Sequence, residues 1–338
     1  MRVIITGGSG FVGTHLGRRL LNENNEIIVM DRVEPSLDIK DKITFVNTPN
    51  IESKKVTSLM FNDVDVIYHL AAKLPIERGK LDEYRKVNVI GTSNVIEMAI
   101  NNNIPKIIHV SSSAVYGDCK SPIDENSLVH PIENYGRSKL EAELLCRHYR
   151  KENKIDISIV RPRAILGKER LGAYYMLFLL LKNNKPIPCI GRGNNKVQLI
   201  SVNDLVDLLV RIPRHSCKNQ DYNVGTDKFG TLNETIQDLA AKIGSTSRMV
   251  YFPSMIGKEM CRIINKIFPI AEWHYKLVDK DFYFDITKAK DLLGWYPKDS
   301  NVDMLVDSYL SFLGMNERKS SSIHKSKVDI KLLKYILK

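Results

Sequence analysis

Residues 1–13 read MRVIITGGSGFVG, an apolar run that collapses into four glycines within seven residues. Val3 to Thr6 carries the bulky, β-branched residues of a buried strand, and Phe11, Val12, Leu16, Leu20 and Leu21 recur at helical spacing behind the glycines. A strand that turns through glycine straight into a helix leaves unpaired amide donors and the positive end of the helix dipole facing the turn. Such a turn holds an anion when no side chain blocks its approach. Gly7, Gly10 and Gly13 give the spacing GxxGxxG. The first glycine permits the tight turn, the second lets a pyrophosphate come close, and the third lets the helix pack on the strand.

The next apolar run, EIIVMD, ends in Asp31, 18 residues beyond Gly13. A carboxylate there accepts hydrogen bonds from adenosine ribose hydroxyls and repels a 2′-phosphate. The predicted cofactor is therefore NAD rather than NADP, lying along Gly7, Gly10, Phe11, Val12 and Asp31, with Arg32 beside it. Strand and helix signals then alternate: Ile43–Val46, Val64–Leu70, a long helix ending near Asn103, Lys106–Ser111, a helix after Asn134, and Ile155–Arg161. The strands are continuous apolar runs, as in a parallel sheet covered on both faces. The predicted class is α/β, a Rossmann-type doubly wound parallel sheet with a smaller, discontinuous C-terminal substrate domain. Residues 1–165 are read as the NAD-binding domain, with 198–224 returning to it. Residues 166–197 and 225–315, including a helix over Ala173–Leu181, form the substrate region, and 316–338 a basic amphipathic tail.

The formal charge of +11 over 338 residues is unevenly spread. Seven Lys/Arg against two acids in residues 316–338 supply +5 of it, and no basic helix with a nucleic-acid reading motif is present, so nucleic acid is not an expected partner. Five scattered cysteines without a CxxC pair disfavour a disulfide framework and a zinc site, and no other metal cluster is read. The first residues already begin a strand, so a cytoplasmic location is expected.

Two further stretches carry chemistry, HVSSSAVYG (His109–Gly117) and YGRSK (Tyr135–Lys139). Tyr135 and Lys139, four apart, share one helix face, which predicts an ammonium beside the phenol. A phenol of ordinary pKa about 10 is a poor base at neutral pH, and a neighbouring cation favours its ionised form. That pair reads as a general base.

With these motifs, HLAA (His69–Ala72), NVIGTSNV (Asn88–Val95), RPRAILG (Arg161–Gly167), ISVNDL (Ile200–Leu205) and DITKAKDLLGW (Asp285–Trp295), the chain resembles the extended short-chain dehydrogenase/reductases, and among them the nucleotide-sugar epimerases and dehydratases. The resemblance runs over roughly residues 1–313 and implies a seven-stranded parallel sheet. It implies a catalytic Ser112, Tyr135 and Lys139, and a cofactor also touching Leu70, Ala71, Ala72, Asn88 and Ser111. By position, Lys73, Ser112, Ser113, Arg163, Gln198 and Lys276 are the candidate substrate contacts. Asn47–Thr48 departs from the family pattern, in which many members place an adenine-contacting aspartate.

Family 4,6-dehydratases carry an acid immediately after the catalytic hydroxyl residue, where this chain has Ser113 and Ala114. The resemblance thus implies hydride removal and return at C4 of a diphosphate-linked sugar; the alternative is an NAD(P)-dependent dehydrogenase or 4-ketoreductase of a nucleotide sugar or a sterol-like alcohol. Positions at which soluble UDP-sugar epimerases hold an asparagine and an arginine are Ala164 and Lys196 or Val197. Phe252–Ile270 and Val328–Lys338 read as basic amphipathic helices suited to an anionic membrane surface, or, for the first, to packing over the substrate cleft. They resemble features of relatives that epimerise a sugar on a polyprenyl lipid in surface-polysaccharide (O-antigen) assembly. A peripheral place on the inner membrane face and a homodimer through the helices near Lys80 and Asn134 complete the expectation.

Overall fold

The computed structural model describes residues 1–77, 79–152, 155–168, 170, 174–257, 259 and 277–317. Seven parallel strands form the central sheet in the order β3 (Thr44–Asn47), β2 (Glu26–Asp31), β1 (Arg2–Thr6), β4 (Val66–His69), β5 (Lys106–Val110), β6 (Asp156–Pro162), β10 (Asp221–Val224). Order reverses between β1 and β4, so a crevice opens there at the carboxyl ends of the strands, the usual ligand position in open α/β sheets.

Both faces of each strand are apolar because both are covered. Val3 and Ile5 of β1 enter one core with Leu16, Leu20, Leu205 and Leu209, while Ile4 between them enters a second with Val95, Met98 and Ile157. Helix Phe11–Asn22 and helix Val202–Arg211 pack on the first face, and helices Gly91–Asn101 and Asn134–Lys151 lie on the second. A third core, around Phe178, Leu181, Leu239, Leu305 and Phe312, belongs to the C-terminal half and to helices Tyr175–Lys182, Leu232–Lys242 and Asn301–Glu317.

Residues 198–224 pack into the first core through Ile200, Val202, Leu205 and Val224, but not all of them join the main sheet. The segment around residues 198–202 forms β9 (Leu199–Ser201), which pairs with β7 (Ala164–Leu166) in a small separate sheet. Only β10 rejoins the main sheet, against β6. The physical reason lies at Pro162–Arg163, where the chain leaves β6 and re-forms at once as β7, offering β9 a nearer edge. A second pair, β8 (Ile187–Ile190) with β11 (Met249–Phe252), completes the substrate half. Among the described residues no helix is long and apolar enough to cross a membrane. Lys276, most of Phe252–Ile270 and all of residues 318–338 lie outside the described residues, so the readings placed on them stand as read.

Candidate active site

At the end of β1 the chain turns at Gly7 with φ +70°, and its amide donates to the Met30 carbonyl at 2.8 Å. A Cβ on Gly7 would lie 2.7 Å from the Ala71 nitrogen, and one on Gly13 would lie 2.6 Å from the Gly7 oxygen. Both glycines are thus demanded by close backbone passage, Gly7 under the Leu70–Ala71 strand end and Gly13 against the turn itself. Gly10, the residue capping helix Phe11–Asn22, differs: a Cβ there would meet only the Gly7 oxygen, at 3.2 Å. No side chain caps that helix and no acid occupies its first turn, so its amides face open space.

Asp31 closes the far side. Its Oδ2 accepts from the Ser9 amide at 3.0 Å, and its Oδ1 from Arg32 and Val33 at 2.7 and 3.2 Å. A carboxylate has about four acceptor positions, so one remains on Oδ2 for a hydroxyl. Arg32 turns outward to Glu77 at 3.6 Å. Deeper in, the Ser111 hydroxyl is buried without a partner. An open helix start, a carboxylate with one acceptor left and an orphaned hydroxyl along one crevice fit a dinucleotide.

Under the crevice runs a polar chain whose proton positions follow from its own bonds. Thr92 Oγ1 donates to the Asn88 carbonyl at 2.7 Å, so it accepts from His69 Nε2 at 2.9 Å. His69 Nδ1 then accepts from Thr6 Oγ1 at 2.7 Å, and Thr6 in turn accepts from the Ala71 amide. Burial, with the Lys139 charge adding, pushes His69 down to about 3 and keeps it neutral.

Ser112 and Tyr135 are brought together. Ser112 precedes the short turn Ser113–Val115, where its Oγ accepts the Ala114 amide at 3.2 Å; Ser113 itself is buried. Tyr135 stands on the first turn of helix Asn134–Lys151, and the Ser112 side chain acts on its phenol. Its pKa is raised, by burial above all, with Ser112 and the Arg170 charge acting against the rise and Glu133 adding to it. Lys139 is not among the groups that act on the phenol in the ligand-free chain. Lys139 is buried, its Nζ donates to the Val110 carbonyl at 2.8 Å, and burial pulls it down to about 8. Helix spacing put the two residues on one face, but the long lysine side chain dips towards β5.

Three other expected contacts are committed elsewhere. Asn88, on a π-helical turn (Lys86–Ile90), accepts from the Lys73 amide at 2.7 Å and donates to the Lys73 carbonyl at 3.2 Å and to Ser138 Oγ at 2.9 Å. It ties the Lys73 backbone to helix Asn134–Lys151. Lys73 directs Nζ to Glu83 at 3.6 Å and to the Tyr84 ring. Gln198, fully buried, donates to the Thr226 and Phe284 carbonyls and accepts from the Phe284 amide at 2.8 Å. Sequence reasoning missed Arg170, whose guanidinium sits 5.1 Å from the Phe11 ring centroid. Its signal was a basic residue just past β7, on the loop that faces the crevice.

Residues 3–225 match the family described as the NAD dependent epimerase/dehydratase family. The chain belongs to that family. Its cofactor is accordingly NAD. An uncharacterized protein of Sinorhizobium fredii is 32% identical over 318 residues, covering 90% of this chain and 77% of its own length. A putative UDP-glucose 4-epimerase of Methanocaldococcus jannaschii is 29% identical, over 88% of this chain and 93% of its own. The crystal structure of a UDP-glucuronic acid 4-epimerase from Bacillus cereus in complex with NAD superposes with a TM-score of 0.75 at 24% identity, over 93% of this chain and 99% of that one, which establishes the likeness of fold.

Proposed function

We propose that this protein is a 4-epimerase of a diphosphate-linked sugar. The observation that carries the reading is Ser112 acting on the Tyr135 phenol at the crevice, with no carboxylate at 113 or 114. NAD, held by Gly7–Val12, Asp31, Ser111 and Lys139, supplies when bound a two-electron acceptor and donor at the carbinol carbon, so oxidation and its reversal cancel. The Tyr135 oxygen takes the proton of the sugar 4-hydroxyl and returns it after the ring has turned over. Ser112 bridges substrate oxygen and phenol, which shortens the proton path. The Arg170 charge opposes the burial that raises the phenol, and oxidised nicotinamide adds the same sign of charge. Ser113 and Ala114 offer no acid to expel a 6-hydroxyl, which argues against dehydration. The Methanocaldococcus relative, a putative UDP-glucose 4-epimerase, supports the same class.

Incubation with UDP-glucose, UDP-N-acetylglucosamine, UDP-glucuronic acid and a polyprenyl-diphosphate sugar, followed by product analysis, tests the reading and identifies the carrier. Tyr135→Phe is expected to lower turnover by about 10²–10⁴-fold with unfolding unchanged. A stoichiometric need for NAD(P)H would overturn epimerisation in favour of a dehydrogenase or 4-ketoreductase. Turnover only of the polyprenyl substrate, with sedimentation of the full chain on anionic vesicles, is the outcome that places it at a membrane in surface-polysaccharide assembly. The homodimer belongs to the same reading, supported by the exposed Ile90 and Leu144 on the helices named for it, and light scattering checks it.

A further inference from the structure

Arg163 follows β6 at the carboxyl end of the sheet and is 6% exposed. Its guanidinium lies 4.1 Å from the Phe282 ring centroid and 5.5 Å from that of Phe284, and Nε donates to the Gln198 carbonyl at 3.2 Å. Nη1 is buried with no hydrogen-bond partner. Among the described residues, the group acting on it by charge is the Tyr174 phenol, not a carboxylate.

A buried cation without an anion is costly, and contact with aromatic faces recovers only part of that cost. Burial accordingly pulls Arg163 down to about 9. The aromatic platform is itself built with care: Gln198 clamps both the amide and the carbonyl of Phe284. A Cβ on Gly225 would lie 2.4 Å from the Gln198 side chain, so glycine there makes room for the clamp. Gln198 thus acts as a positioning residue for the surface on which the guanidinium rests. The fold fixes a cation at the carboxyl end of the sheet and leaves its Nη1 without a hydrogen-bond partner among the described residues.

We propose that Arg163 is the oxyanion receptor of the substrate, its buried, unpartnered Nη1 taking an oxygen of an anionic group on a ligand seated against Phe282. This rests on the sugar-diphosphate reading above. The oxygen belongs either to the diphosphate or to a carboxylate on the sugar, and the two sources are separable.

Titration calorimetry and thermal unfolding of the parent, Arg163→Met and Arg163→Lys with UDP, UDP-glucose, UDP-glucuronic acid and inorganic pyrophosphate test it. Arg163→Met is expected to weaken binding of the anion-bearing ligand roughly tenfold to hundredfold while the ligand-free protein unfolds at the same or a higher temperature. Arg163→Lys should recover part of the affinity. Equal loss for UDP and both UDP-sugars assigns the diphosphate; loss confined to UDP-glucuronic acid assigns the carboxylate. Affinities within twofold of the parent for every ligand, or a lower unfolding temperature with normal binding, overturn the proposal. A parent that binds no UDP compound overturns the sugar-nucleotide reading instead; pyrophosphate binding lost in Arg163→Met then keeps the oxyanion site, and its persistence removes it.

Discussion

Arg161 and Arg163 stand two residues apart where β6 ends, both are buried, and they have opposite surroundings. Arg161 donates Nε and Nη2 to the Glu143 carboxylate at 2.9 and 2.7 Å and Nη1 to the Tyr116 hydroxyl at 2.6 Å. Asp221 lies 3.3 Å from Nη2 and also receives Arg147 and Arg150 at 2.6 and 2.7 Å. The cluster ties β6, helix Asn134–Lys151 and β10 into one charge-matched body. Burial alone would depress Arg161, yet the Glu143 bonds outweigh it and the pKa is raised. For Arg163 burial has no such opponent and the pKa falls. The same residue type at the same depth is scaffold where the protein supplies the counter-charge and a candidate site where it does not.

Removing Arg161 should therefore break the comparison most visibly. Arg161→Met removes both strong bonds to the buried Glu143 carboxylate and leaves it Arg147 at 3.3 Å, a loss of about 3–5 kcal/mol, read by urea unfolding at pH 7. Ligand affinity per folded molecule should stay at the parental value, the reverse of the Arg163→Met pattern. A loss under about 1 kcal/mol would mean that the cluster behaves as a surface pair and that the contrast with Arg163 is empty.

Lys139 sharpens the same contrast as a third buried cation, with one carbonyl as its partner. Its folded pKa of about 8 lies below the ordinary lysine value of 10.5, so between those values the folded state holds fewer protons than the unfolded one. Stability then rises with pH from about 8 to 10.5, and the burden is fully present below pH 8. The shift is worth on the order of 3 kcal/mol, less about 1 kcal/mol for the Val110 hydrogen bond. Lys139→Met should thus stabilise the ligand-free protein by about 2 kcal/mol at pH 7, lose that advantage by pH 10.5, and fail in turnover. A variant less stable than the parent at pH 7 would show that Lys139 is structural. That residue would then join Arg161 rather than Arg163.

Much of this was legible in the chain. The glycine turn, Asp31 and the apolar runs dictate β1, β2 and the doubly wound order, because backbone crowding and two-sided burial leave local signatures. What the sequence concealed depends on who meets whom. Gln198 reads as a polar residue near a site, but its amide is consumed by Phe284, 86 positions away. Asn88 sits in a family motif, yet it clamps Lys73 and Ser138. The i, i+4 spacing of Tyr135 and Lys139 gives a shared face but not the direction of a flexible lysine. Arg161 and Arg163 look alike in RPRAILG, and only the packing of Glu143 on one and Phe282 on the other separates them.

The smallest effect concerns groups kept neutral instead of matched. His69 and His109 face each other beneath the crevice with ring centroids 5.2 Å apart, and both nitrogens of His109 lack a partner. Burial lowers both pKa values, His69 to about 3, with the Lys139 charge adding in each case. The unfolded chain takes a proton on each ring near pH 6.5 that the folded protein refuses, so their contribution is intact above that pH and lost as pH falls through it towards 3. Between pH 6 and 5 each ring should cost about 1.4 kcal/mol per pH unit, giving a combined slope of nearly two protons in urea unfolding. Carboxylates held low by ion pairs steepen the decline only further down, since their unfolded values lie near 4. A slope of less than one proton over that interval would mean that an imidazole is charged within the fold. A cation held there without a counter-charge would place that histidine with Arg163, so the division between matched and unmatched buried charge would have to be redrawn around it.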